Sequence, residues 1–69
     1  MNHNHLRSWR TEKHLTLGEV SDLTGLSKSY LSRLEQHDRT AAPMTKVRIA
    51  RSLGVSIALL FPAQEVEGD

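Results

Sequence analysis

Apolar residues in this chain recur at helical spacing and are broken by short polar turns. Leu6, Trp9 and Arg10 stand at i, i+3 and i+4, which predicts a first helix over 4–13 with one buried face. A second helix opens at Thr16, with Glu19 three residues on as a capping-box partner. Its inward residues are Leu17, Val20, Ser21 and either Leu23 or Thr24, and Gly25 closes it. Ser27 is a good cap for a third helix, whose buried stripe is Leu31 and Leu34 with Tyr30 at the margin. His37 to Thr40 reads as a loop. Pro43 suits the first position of a fourth helix, because its missing N–H is not needed there. Val47, Ala50 and Leu53, with Ile49, form that helix's inner face, and Gly54 ends it. Ser56 caps a short fifth segment, Ile57 to Phe61, stopped by Pro62. No stretch alternates apolar and polar residues long enough for a strand. The expected fold is all-α, a compact five-helix bundle. Residues 1–61 form one domain and residues 62–69 a short, polar, flexible tail.

The second and third helices carry the chemistry. Two short helices meet at the turn Thr24-Gly25-Leu26, and the second exposes Lys28, Ser29, Ser32 and Arg33. A Gly-containing turn between two helices, the second polar on its outer face, is the helix-turn-helix that sets a helix in the DNA major groove. Positions 28, 29, 32 and 33 fall at i, i+1, i+4 and i+5, so they share the face opposite Leu31 and Leu34. Arg33 can donate two parallel hydrogen bonds to guanine O6 and N7. Lys28 can do the same or hold a phosphate, and Ser29 and Ser32 suit a base edge or a phosphate. The ordinary alternative is a solvated helix face.

With 69 residues there is room for one small domain. Such a domain buries only about 60% of its unfolded surface. The chain has no cysteine, which excludes disulfides and cysteine-based zinc sites. No apolar stretch approaches the ~18 residues of a membrane span, and the start lacks the apolar core of a signal peptide. A cytoplasmic location, in a bacterial, plasmid or phage context, is expected. The formal net charge of +1 is a weak footprint for nucleic-acid binding. Its distribution is more telling. Lys28, Arg33, Arg39, Lys46, Arg48 and Arg51 crowd the middle of the chain against only Glu35 and Asp38, while Glu65, Glu67 and Asp69 lie at the end.

Several chemistries are not supported. His3 and His5 form an H-x-H, but a metal site needs at least a third ligand, and His14 and His37 are not spaced to supply one. There is no nucleophile–base cluster, no phosphate-binding glycine loop and no catalytic carboxylate pair. Neither an enzyme nor a cofactor is expected.

Taken together, the motifs resemble the Cro-type helix-turn-helix family, the XRE or lambda-repressor-like domain. The resemblance covers roughly residues 6–61. It rests on Leu6-Arg7-Ser8-Trp9-Arg10, Leu15-Thr16, Gly25 at the turn, Leu34-Glu35, Ile49-Ala50-Arg51-Ser52-Leu53-Gly54-Val55-Ser56 and Leu59-Leu60-Phe61, in that order and spacing. There are departures. Leu17 stands where the family often has a phosphate-touching Gln. Ser21 replaces a small Ala, and His14 replaces a Gly that often ends the first helix. Lys46 holds a position that is often apolar, and Thr40-Ala41-Ala42-Pro43 replaces an Asn/Gly-Pro.

The resemblance implies a sequence-specific, double-stranded DNA-binding transcriptional regulator, most simply a repressor on a palindromic operator. The alternative is an antitoxin or protein-interaction adaptor using the same domain. Base reading falls to Lys28, Ser29, Ser32 and Arg33. Phosphate contacts fall to Ser27, Tyr30, Arg39, Thr40, Thr45 and Lys46. Arg10 and Glu35 match a structural salt bridge between the first and third helices. Glu19 and Asp22 read most simply as solvated charge, with Glu19 a cap partner; their other reading is a contact for RNA polymerase. One recognition helix spans too little duplex for genomic specificity, so a homodimer is expected, weak in solution and formed mainly on DNA. Ile57, Leu60 and Phe61 are the expected dimer residues, with Leu59 beside them.

Overall fold

The computed structural model describes residues 4–62. Five helices and one 3₁₀ turn follow in order: α1 Leu6–Glu12, α2 Leu17–Thr24, α3 Lys28–Gln36, the 3₁₀ turn Asp38–Thr40, α4 Pro43–Leu53 and α5 Ile57–Leu60. No strand occurs among the described residues. The all-α expectation holds. The expected polar tail falls outside the described residues, apart from Pro62.

Local chemistry sets each boundary. α1 is shorter than its periodicity suggested. Asn4 Oδ1 accepts from the Leu6 amide at 3.0 Å, so the chain turns into the helix only at Leu6. At its other end His14 adopts φ 61°, the left-handed region, and the Leu15 amide reaches back to the Arg10 carbonyl at 2.9 Å. The capping box of α2 is complete: Thr16 Oγ1 accepts from the Glu19 amide and Glu19 Oε1 accepts from the Thr16 amide. That arrangement contributes about 1 kcal/mol. Gly25 ends α2 at φ 79°, where a side chain would be strained. Ser27 accepts from the Tyr30 amide at 3.1 Å and so starts α3. Pro43 opens α4 and Gly54, at φ 73°, closes it.

Leu6, Val20, Leu31, Leu34, Ile49, Leu60 and Phe61 have no solvent exposure and form the core with Ala41 and Ala50. Every α-helix contributes at least one of them, so the helix-turn-helix is held from behind by the rest of the domain. The His5 amide donates to the Leu60 carbonyl at 2.7 Å, tying the chain's entry to α5.

Two expectations need correction, and one open alternative is resolved. Leu60 and Phe61 are not available to a dimer partner. The single turn of α5 drives both inward, and Phe61 is the largest fully buried side chain. With only 4% aromatic residues, the small core takes them. Lys46 is not exposed for the expected phosphate contact. It shares with Ile49, Ala50 and Leu53 the inward spacing i, i+3, i+4, i+7 of α4 and is itself buried. Between Leu23 and Thr24, it is Thr24 that turns inward, while Leu23 is 54% exposed.

Candidate nucleic-acid interface

The turn between α2 and α3 is held by side chains as well as by Gly25. The Thr24 hydroxyl donates to the Val20 carbonyl at 2.8 Å and accepts from the Leu26 amide at 3.2 Å. The Ser21 hydroxyl donates to the Leu26 carbonyl. Ser21, where the family often has Ala, is therefore a turn brace rather than a packing compromise. Arg48 adds a long contact from α4, its Nη2 donating to the Thr24 carbonyl at 3.4 Å. These bonds set the angle at which α3 leaves α2.

On α3, the buried pair Leu31 and Leu34 anchors one side, so the other faces outward. Lys28, Ser29 and Arg33 are exposed and Ser32 is half-buried. They form one polar strip on the helix that the turn presents. Lys28 is steered further: its stem passes over Gly18, where a Cβ would stand 3.7 Å from Lys28 Cδ. Two donors of Arg33 and one ammonium at Lys28 suit purine acceptors in the major groove.

The expected phosphate contacts divide. Arg39 is exposed on the 3₁₀ turn, and Thr40 and Thr45 are half-buried beside it and at the start of α4. Ser27 is occupied as a cap. The Tyr30 hydroxyl donates to the Thr40 carbonyl at 3.4 Å, a weak bond that a phosphate would have to break. Lys46 is removed from the set altogether. Its Nζ lies 2.8 Å from Asp38 Oδ2 and 5.5 Å from the centre of the Phe61 ring.

Arg10 and Glu35 form a two-pronged pair. Arg10 Nε donates to Glu35 Oε2 at 2.8 Å and Nη2 donates to Oε1 at 3.2 Å. Arg10 Nη1 donates to the Leu15 carbonyl at 3.0 Å. Their side chains are 15% and 6% exposed. Hydrogen bonding to Glu35 raises the Arg10 pKa, against the opposing effect of burial and with the help of the carboxylate charge. The pair joins α1 to α3, so α3 is held from the α1 side as well as from α2.

Asn4 and Asp38 went unread in the sequence. Asn4 Nδ2 donates to the Leu34 carbonyl at 2.8 Å and to Asp38 Oδ1 at 3.1 Å. With Lys46 they make a buried polar chain linking the chain's entry, the end of α3 and α4. A lone Asn ahead of a helix and an Asp in an apparent loop carry no sequence signal of such a network. Glu19 is engaged in the capping box and Asp22 is exposed. Of the H-x-H, only His5 lies within the described residues. No group of three or more His, Cys, Asp or Glu among the described residues could hold a metal ion. No helix among them is long and apolar enough to cross a membrane.

Comparison with known proteins agrees with this arrangement. The helix-turn-helix family model HTH_3 matches residues 6–60. An uncharacterised HTH-type transcriptional regulator, y4dJ, of Sinorhizobium fredii is 42% identical over 57 residues, covering 81% of this chain and 74% of that protein. The control protein C.SmaI of Serratia marcescens is 23% identical over 64 residues, covering 93% of this chain and 76% of that protein. No solved structure gives a significant match.

Proposed function

Because the chain belongs to the helix-turn-helix family, we propose that it is a transcriptional regulator that binds double-stranded DNA in a sequence-specific way. In the simplest form it is a repressor that occludes a promoter by sitting on a palindromic operator as a dimer. The observation that carries this reading is the exposed strip Lys28, Ser29, Arg33 on a helix locked from three sides by the α2 turn, the Arg10–Glu35 pair and the buried leucines. A rigid helix with base-reading donors on its outer face is what major-groove recognition requires. The names of the two relatives, a transcriptional regulator and a control protein, support regulation of genes. A cytoplasmic location goes with that role.

Lys28, Ser29, Ser32 and Arg33 read bases, and Arg39 and Thr40 on the 3₁₀ turn, with Thr45 on the first turn of α4, grip the DNA backbone. The dimer is supported by the need for two half-sites about 34 Å apart. Leu59, 49% exposed on α5, with the half-buried Ile57, is the apolar surface there for a second copy.

The test is selection of bound duplexes from a random pool with wild type and Arg33→Ala. Wild type should enrich a palindrome of fixed half-site spacing. Arg33→Ala should relax one position, a G·C pair, by about 1–3 kcal/mol. No enriched motif with wild type would refute sequence-specific binding. An unaltered motif with Arg33→Ala would refute the assignment of the reading face.

A further inference from the structure

One polar groove lies beside the residues assigned so far. It holds roughly 260 Å³ and is lined by Arg7, Arg10, Leu17, Ser32, Glu35 and Gln36. It therefore opens between α1 and α3 at the start of α2. Arg10 and Glu35 neutralise each other there, and each nitrogen of the Arg10 guanidinium already donates within the domain. The net charge that the groove offers is that of Arg7, which is exposed. Leu17 has no side-chain donor, so the first position of α2 contributes no grip of its own. Ser32 belongs both to this groove and to the polar strip of α3. A duplex that holds α3 in its major groove carries a backbone strand along each side of the helix. The side marked by Ser32 and Gln36 is the one that faces α1. The groove is smaller than the ~300–1,000 Å³ of small-molecule sites and is rimmed by donors.

We propose that Arg7 binds a phosphate of the DNA backbone at this groove, gripping the strand on the α1 side of the reading helix. The proposal rests on the DNA-binding reading above. It makes α1 part of the interface. It also offsets the two cations, Arg10 and Lys46, that the fold has turned inward.

The experiment is equilibrium binding to the selected operator, and to an unrelated duplex, over a range of salt concentrations. Wild type, Arg7→Ala, Arg7→Gln and Lys13→Ala are compared. Lys13 is an exposed cation just beyond α1 and does not line the groove. Each phosphate neutralised contributes about 0.9 to the slope of log K against log salt. In both Arg7 variants the slope should fall by that amount per bound copy, and binding to both duplexes should weaken about eightfold per bound copy at 0.1 M salt. Their selected motif and melting temperature should not move. A wild-type slope in both Arg7 variants, with operator binding intact, overturns the Arg7 site alone. An equal loss in Lys13→Ala also overturns it, because charge would then matter without position. Failure of wild type to bind DNA in a salt-dependent way overturns the site together with the DNA reading.

Discussion

Lys46 Nζ lies 2.8 Å from Asp38 Oδ2, and both side chains are less than a tenth exposed. A lysine at the start of α4, in a basic stretch of sequence, is thus a tie between α4 and the 3₁₀ turn after α3. Asn4 completes the arrangement from the other side, donating to Asp38 Oδ1. Burying two charges is unfavourable unless they are paired and hydrogen-bonded, and here both conditions are met.

Removing the carboxylate should therefore be costly. Asp38→Ala strands the ammonium without its carboxylate and should lose about 3–5 kcal/mol. At roughly 4–8 °C per kcal/mol for a domain of this size, the melting temperature should fall by at least about 12 °C. Lys46→Met, which leaves the buried Asp38 carboxylate without its cation, should likewise melt well below wild type. Thermal melts of the two variants decide this; a wild-type melt for Asp38→Ala would show the pair to be dispensable. Lys46→Met should also keep the wild-type salt slope of DNA binding, because Lys46 is buried against Asp38.

The Arg10–Glu35 pair should behave as a unit. Arg10→Met or Glu35→Gln alone should lower the melting temperature by several degrees, since each leaves a charge without its opposite. Arg10→Met combined with Glu35→Leu should recover part of that loss. Additive losses in the double variant would count against coupling between the two residues.

His14 occupies the left-handed region at φ 61°. Such a conformation costs a residue with a Cβ about 1 kcal/mol, and glycine adopts it without that cost. His14→Gly should raise the melting temperature by a few degrees and leave DNA affinity unchanged. A lower melting temperature would mean that the imidazole makes contacts worth more than the strain.

On α5 the expected effects split by burial. Phe61→Ser should cost about 3–5 kcal/mol through loss of the core, and is an uninformative probe of dimerisation. Leu59→Ser should melt like wild type yet bind a palindrome with reduced cooperativity and unchanged half-site preference. Full cooperativity in Leu59→Ser, measured by titration of one-site and two-site duplexes, would rule out α5 as the pairing surface.

The helix pattern was legible in the sequence because it depends on neighbours a few residues apart. The Thr16–Glu19 capping box, the Ser27 cap, Pro43 at the start of α4 and the glycines at 25 and 54 act within one or two turns. Leu6, Val20, Leu31, Leu34 and Ile49 repeat at helical spacing, and each is buried. The strip Lys28, Ser29, Arg33 could be read in the same way, as the face opposite the leucines. What remained open was the fate of side chains that find partners far along the chain. Asn4 meets Leu34 and Asp38 across 30 and 34 positions. Lys46 looked like a surface cation because periodicity weighs apolar residues, whereas burial of a charge depends on a partner brought in by the fold. Leu60 and Phe61 were expected at a dimer face and are buried instead, because the capacity of the core is a property of packed volume, not of spacing. The sequence by itself determined the five helices, the turn and the polar face of α3. Only the tertiary structure decided which cations remain to meet DNA, because only packing brings Asp38 to Lys46 and Glu35 to Arg10.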